Sequence, residues 1–237
     1  MKLRSMMFVG AAALTTAALA TDVLTDEKTL GWMRVDSTLP ITAVGVPWTD
    51  VSDPTANVKV ADLVKTDNLT DGDNLYVYNN GTWTFYTLSS GAWVAGTTAN
   101  SSITATAGNP SEATIARGQA LYLERQNPTT PGYFYVYGAD GSEITSTTLS
   151  GATKYLVASP KAAAFTVTSA KISGASNKDV IQVPLTGGTS RIYQYFKTKN
   201  KWRCNGKWED ETGYEEIPLG TGFWYLAAST DTITVTW

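Results

Sequence analysis

Apolar and polar residues alternate with a period of two in one segment after another, most cleanly in Tyr133-Phe-Tyr-Val-Tyr137 and Asp231-Thr-Ile-Thr-Val-Thr-Trp237. That period sends successive side chains to opposite faces of an extended chain. It specifies half-buried strands and excludes a helix, whose faces repeat every 3.6 residues. Threonine is the commonest residue, at 36, and with Tyr, Trp, Val and Ile it fills the alternating segments, a composition suited to a pleated surface. Turn dipeptides such as Asn80-Gly81, Asp140-Gly141 and Gly187-Gly188 punctuate them. The expectation is an all-β fold with one short helix candidate, Val60 to Lys65.

Several landmarks occur twice. Ile115-Ala-Arg-Gly118-Gln-Ala-Leu-Tyr-Leu123 and Ile217-Pro-Leu-Gly220-Thr-Gly-Phe-Trp-Tyr225 carry Ile, Gly, a small residue and an apolar run at matching offsets, 102 residues apart. Gly72-Asp-Asn-Leu-Tyr-Val77 resembles Lys178-Asp-Val-Ile-Gln-Val183, and Ile41 to Pro47 resembles Lys154 to Pro160. An aromatic hairpin, Gly81 to Trp93, has its counterpart in Ile192 to Trp202. Four landmarks in one order imply a duplicated unit of ~100 residues. Residues 21–138 are expected to form a first β-sandwich or barrel-like domain, 139–150 a polar linker, and 151–237 a related second domain. Ala95 to Ser111 reads as an exposed insertion. Gly118 and Gly220, each ahead of an apolar strand, are expected at positive φ, where a tight turn needs a residue without Cβ.

Lys2 and Arg4, the apolar run from Met6 and Ala18-Leu-Ala20 have the order of charge, hydrophobic core and small residues that a signal peptidase reads, so residues 1–20 are expected to direct export. No stretch is long and apolar enough for a helical membrane span. Losing Lys2 and Arg4 takes the formal charge from −3 to −5, which disfavours a nucleic-acid partner. Cys204 is the single cysteine, so no intrachain disulfide exists and burial beside Trp202 is expected.

The chain contains no histidine, which removes Ser-His-Asp and Cys-His catalysis and His-based zinc sites. Carboxylate chemistry of the glycosidase kind remains, with Glu124, Glu209, Asp210, Glu211, Glu215 and Glu216 as the acids, though their crowding into turns reads as solvated acidic loops. No cofactor or metal is expected; Asp67, Asp71 and Asp73 are weak calcium candidates, because hard oxygen ligands cluster there without an EF-hand spacing. Aromatic rings flanked by polar side chains can stack on sugars, which makes Trp93, Trp202, Trp208 and Tyr195 candidates for a glycan or partner, with Trp202 and Trp208 best placed for exposure beside the polar Arg203 to Lys207 turn.

With Val58 to Thr66, Gly72 to Val77 and Ile115 through Arg125-Gln-Asn-Pro128, the chain resembles a group of exported, β-rich repeat proteins of bacteria that carry no assigned activity. The resemblance covers the first unit well and the second loosely, which lacks the Arg-Gln-Asn-Pro segment. It implies an exported location and a repeat architecture. The expected function is that of a non-catalytic secreted or cell-envelope protein, structural or interacting, whose partner is a second copy, an envelope component or, alternatively, a carbohydrate. A secreted glycosidase stands third.

Overall fold

The computed structural model describes residues 30–37, 39–53, 55–79, 81–98, 103–139, 144–161, 163–185 and 189–237. The segment 1–20 expected to direct export, Asn80, Gly187-Gly188, the centre of the expected 95–111 insertion (99–102) and residues 140–143 of the expected linker lie outside them. Among the described residues strands dominate, and helix is limited to the single turn α1 (Val60–Leu63). It stops short of the expected Lys65 because Val64–Lys65 (β4) already pairs with β11 (Tyr133–Ala139).

In the first group of sheets, β1 (Leu30–Asp36), β11 and β4 form a three-stranded sheet in the order β1-β11-β4. A larger sheet runs β2 (Ile41–Gly45), β10 (Ala120–Glu124), β5 (Asn74–Asn79), β6 (Thr82–Ser89), β7 (Ala92–Ala95), with β8 (Ala105–Ala107) parallel to β6. A two-stranded ladder joins β3 (Val58–Lys59) to β9 (Thr114–Ile115). Alternation decides what each strand buries. Phe134 and Val136 of β11 and Met33 of β1 meet Leu121 and Leu123 of β10 and Leu75 of β5 in one core. The two open sheets therefore pack face to face, each fully buried aliphatic or aromatic side chain stabilising by about 1.5–3 kcal/mol.

The second group repeats this layering. A three-stranded sheet runs β12 (Ser146–Leu149), β20 (Ile233–Thr236), β14 (Ile172–Ser173), and a larger one runs β13 (Lys154–Val157), β19 (Phe223–Leu226), β15 (Val180–Pro184), β16 (Ser190–Phe196), β17 (Lys201–Cys204), β18 (Lys207–Trp208). Ile181, Val183, Tyr193, Trp202, Tyr225, Ile233 and Val235 fill its core. No sheet in either group closes on itself, so the barrel-like alternative drops out.

Two buried carboxylates organise corresponding turns. Asp73 accepts from the Thr70 and Gln126 amides at 3.0 and 2.7 Å, and Asp179 from the Ser176 and Ala228 amides at 2.9 and 2.7 Å. In the first group alone a buried arginine adds to this: Arg125 donates to the carbonyls of Pro131 and Asn68 at 2.7 and 2.9 Å and lies 3.9 Å from Asp73. Gly118 and Gly220 have φ of +84° and +71°, as their place before β10 and β19 requires.

The groups meet along a narrow seam. Gly45 N–H donates to Gly220 O and Ala158 N–H to Gly118 O, both at 2.8 Å, while Val44 bridges Thr221 and Gln119 bridges Val157. The Trp224 indole N–H donates to the Tyr122 hydroxyl at 2.6 Å. A Cβ on Gly45 would stand 2.6 Å from that of Ala158, and one on Gly222 2.6 Å from that of Ala120, so the close approach depends on both glycines.

Candidate functional site

Strand parity moves the expected aromatic platform into the core. Trp202 is 0% exposed, its ring 5.3 Å from Tyr195 and 6.1 Å from Tyr225. Lys201 and Arg203 take the outer face of β17, so Trp202 between them must point inward. The expectation that Trp202 is exposed is therefore corrected. Tyr195, paired opposite Trp202, is also buried, with its hydroxyl on Asn200 at 2.6 Å. Trp93 is buried too, and its indole N–H donates to Val64 O at 3.3 Å. Trp208 alone keeps part of its ring in solvent, edge-on to Phe196 at 5.4 Å and under Arg203.

The carboxylates are engaged locally instead of converging on one cleft. Glu209 accepts from the Ser169 and Trp202 amides at 3.0 and 2.8 Å, Asp210 pairs with Lys201 at 2.6 Å, and Glu211 accepts from the Trp208 amide at 2.9 Å. Glu215 pairs with Arg191, and Glu216 accepts from Thr166. Glu124 is buried on the outer face of β10, where the Tyr76 hydroxyl and the Asn74 amide reach it at 2.8 and 3.0 Å. The three aspartates also diverge. Asp71 accepts from the Ser90 amide at 2.9 Å, Asp73 closes its own turn, and Asp67 is exposed. Among the described residues no three acidic or cysteine side chains come together as a metal site. Cys204 is buried, and that burial pushes its thiol above the ordinary range.

The most distinctive surface lies elsewhere, on the outer face of β1-β11-β4. With Phe134 and Val136 in the core, Tyr133, Tyr135 and Tyr137 occupy the opposite face of β11. Trp32, Arg34 and Asp36 occupy that face of β1, directly across from Tyr137, Tyr135 and Tyr133. Trp32 is 46% exposed and, with Ile192, one of the two large hydrophobic side chains exposed among the described residues. Its ring meets Tyr135 at 5.2 Å and 89°, and Tyr133 meets Tyr135 at 5.6 Å and 71°. Arg34 lies 4.2 Å over the Tyr133 ring and is held there by Asp36 at 3.0 Å, while Lys65 lies 4.5 Å over Tyr137. Cations on their ring faces fix Tyr133 and Tyr137 in place, with Tyr135 set between Trp32 and Tyr133.

One end of this stripe opens into a cleft of about 540 Å³, which Tyr137 and Lys65 share with Asp50, Ser52, Lys59 and Asp62. The Ser52 hydroxyl and amide hold the Asp50 carboxyl below its usual range, so it is ionised at neutral pH. Flat apolar rings thus run into a pocket of balanced charge. Trp32 and the three tyrosines are not among the expected site residues, because they do not flank a polar turn as Trp202 and Trp208 do. Their signal is parity: in a strand with one core face, tyrosine at every second position with Phe and Val between puts the tyrosines outside.

No known protein family, curated protein or solved structure matches the chain.

Proposed function

We propose that the chain is an exported, non-catalytic interaction protein of two related β units in tandem, and that it presents the Trp32–Tyr133–Tyr135–Tyr137 face to a partner outside the cytoplasm. The duplication is supported strand by strand. β2, β10, β5, β6 and β7 have β13, β19, β15, β16 and β17 in the same order, and β1-β11-β4 has β12-β20-β14. Hydrogen bonds correspond as well. The Gln126 and Ala228 amides, donors to Asp73 and Asp179, have the sequence separation that also links Tyr122 to Trp224, 102 residues. The order of charge, apolar and small residues in 1–20 supports export. Support for a non-catalytic role comes from the missing histidine and from acids tied to local partners.

The observation that carries the interaction reading is the exposed aromatic face itself. An exposed Trp32 set beside three half-buried tyrosines, two of them under cations, is a poor use of large apolar side chains unless something covers it. The test is expression of the full chain in a bacterial host. The exported form is expected to begin at Thr21 and to be retained on envelope material, with retention lost in Trp32→Ala and Tyr135→Ala variants of unchanged thermal midpoint. An uncut cytoplasmic product, or retention unchanged in both variants, overturns it.

A further inference from the structure

We propose that the outer face of β1-β11-β4 and the adjoining cleft form one continuous track for a linear, uncharged polysaccharide. The inference rests on the interaction reading and names its partner.

Length is the first argument. Tyr133, Tyr135 and Tyr137 stand at every second residue of one strand, so their attachment points span ~13 Å before the cleft begins. A ligand using the whole track is longer than one sugar ring and extended. Tyr137 and Lys65 belong to both the stripe and the cleft, which makes the two a single surface.

Shape is the second. Trp32 and Tyr135 meet at 89°, so their faces form the floor and wall of a trough. A pyranose has apolar C–H faces and a rim of hydroxyls, and it can cover a ring face while its edge stays hydrogen-bonded. Among the described residues, no hydrogen bond takes up the hydroxyls of Tyr133, Tyr135 and Tyr137, which leaves three donor-acceptors along the rim of the trough.

Charge is the third, and it chooses among polymers. Arg34 is matched by Asp36, and in the cleft Lys59 and Lys65 are matched by Asp50 and Asp62. A nucleic acid or polyanionic glycan needs an excess of cations, and this face has none. Paired charges can still donate to and accept from neutral hydroxyls.

Finally, the fold does not need these aromatics. The corresponding outer face of β12-β20-β14 carries Ser146, Thr148, Thr234, Thr236 and Ser173 on the same strand arrangement. Trp32 and the tyrosines are an addition to the first unit.

The experiment is affinity electrophoresis and calorimetry of the mature protein against soluble linear glucan, mannan, galactan and xylan and chitin oligosaccharides, with polygalacturonate and hyaluronate as anionic arms. At least one neutral polymer is expected to bind, oligomers competing better than their monosaccharide. Trp32→Ala and Tyr135→Ala should each weaken binding about tenfold, which corresponds to ~1.4 kcal/mol. Trp208→Ala, on the second group, should leave it unchanged, and a circular dichroism melt shows that each variant is folded. Failure of every neutral polymer to bind overturns the proposal, as does preference for the anionic arms or equal loss in Trp208→Ala. If no glycan binds but Trp32→Ala still abolishes envelope retention, the polysaccharide is wrong while the interaction reading stands.

Discussion

The two three-stranded sheets share a strand order and an inner face, and they differ almost completely on the outside. Inward, Phe134 and Val136 of β11 answer to Ile233 and Val235 of β20, all buried. Outward, one sheet carries Trp32, Arg34, Lys65 and three tyrosines, the other only serines and threonines. Core packing constrains one face because every methylene there is felt. The solvent face is free of that constraint, and there the sheets differ.

The largest effect should come from the shared face. Phe134→Ala and Ile233→Ala each empty a fully enclosed site, and a loss of roughly 3–5 kcal/mol for the first and 2–5 for the second is expected by urea denaturation. A cost below about 1 kcal/mol for either would break the comparison.

Alkali should separate the two groups. In the second, burial pushes the Tyr193 phenol up to about 12, and Tyr214 and Tyr225 are raised further. The first group has raised tyrosines in Tyr86 and Tyr122. An unfolded tyrosine ionises near 10, so above that pH the unfolded state holds fewer protons than the native one and stability falls, most steeply between about 10 and 12. Tyr193 alone should account for on the order of 2 kcal/mol by pH 12. Tyrosinate absorbance with urea melts should show the loss, and Tyr193→Phe should reduce it; a flat profile to pH 12 contradicts the burial argument.

At the seam, Gly45→Ala and Gly222→Ala each put a Cβ 2.6 Å from an alanine Cβ, and overpacking of this kind costs about 1–2 kcal/mol. Similar losses in the two variants would sharpen the correspondence between the groups, and a large inequality would blunt it.

The smallest effect should be the most informative. Replacing Tyr135 and Trp32 by threonine, which makes the outer face of the first sheet like that of the second, should shift stability by less than about 1 kcal/mol. A large loss would mean that the aromatics hold the fold together and are not a surface addition.

Much of the fold was legible because its signals are local. Alternation in Tyr133–Tyr137 and Ile233–Thr236 marks strands, and the glycines at 118 and 220 mark turns whose backbone only a residue without Cβ enters easily. The site was less legible. Trp202 and Trp208 flank the same polar turn, yet one is core and the other half-exposed, because the side a strand residue faces depends on its register with the next strand. Arg125 is buried because the carbonyls of Ser37, Asn68 and Pro131, far apart along the chain, converge on its guanidinium. No local pattern encodes such a convergence.

The seam also bears on how two sheet groups within one chain differ from a dimer. Where two identical copies meet on a two-fold axis, a position on that axis faces itself, so the same residue must serve both sides. Gly45 faces Ala158, its counterpart in the strand order, and Ala120 faces Gly222. Glycine on both sides would leave a gap and alanine on both a collision, while each crossing here holds a single methyl group. Holding both sheet groups in one polypeptide allows that unequal filling, so at these crossings the pair, and not the residue, is the unit that mutation must respect.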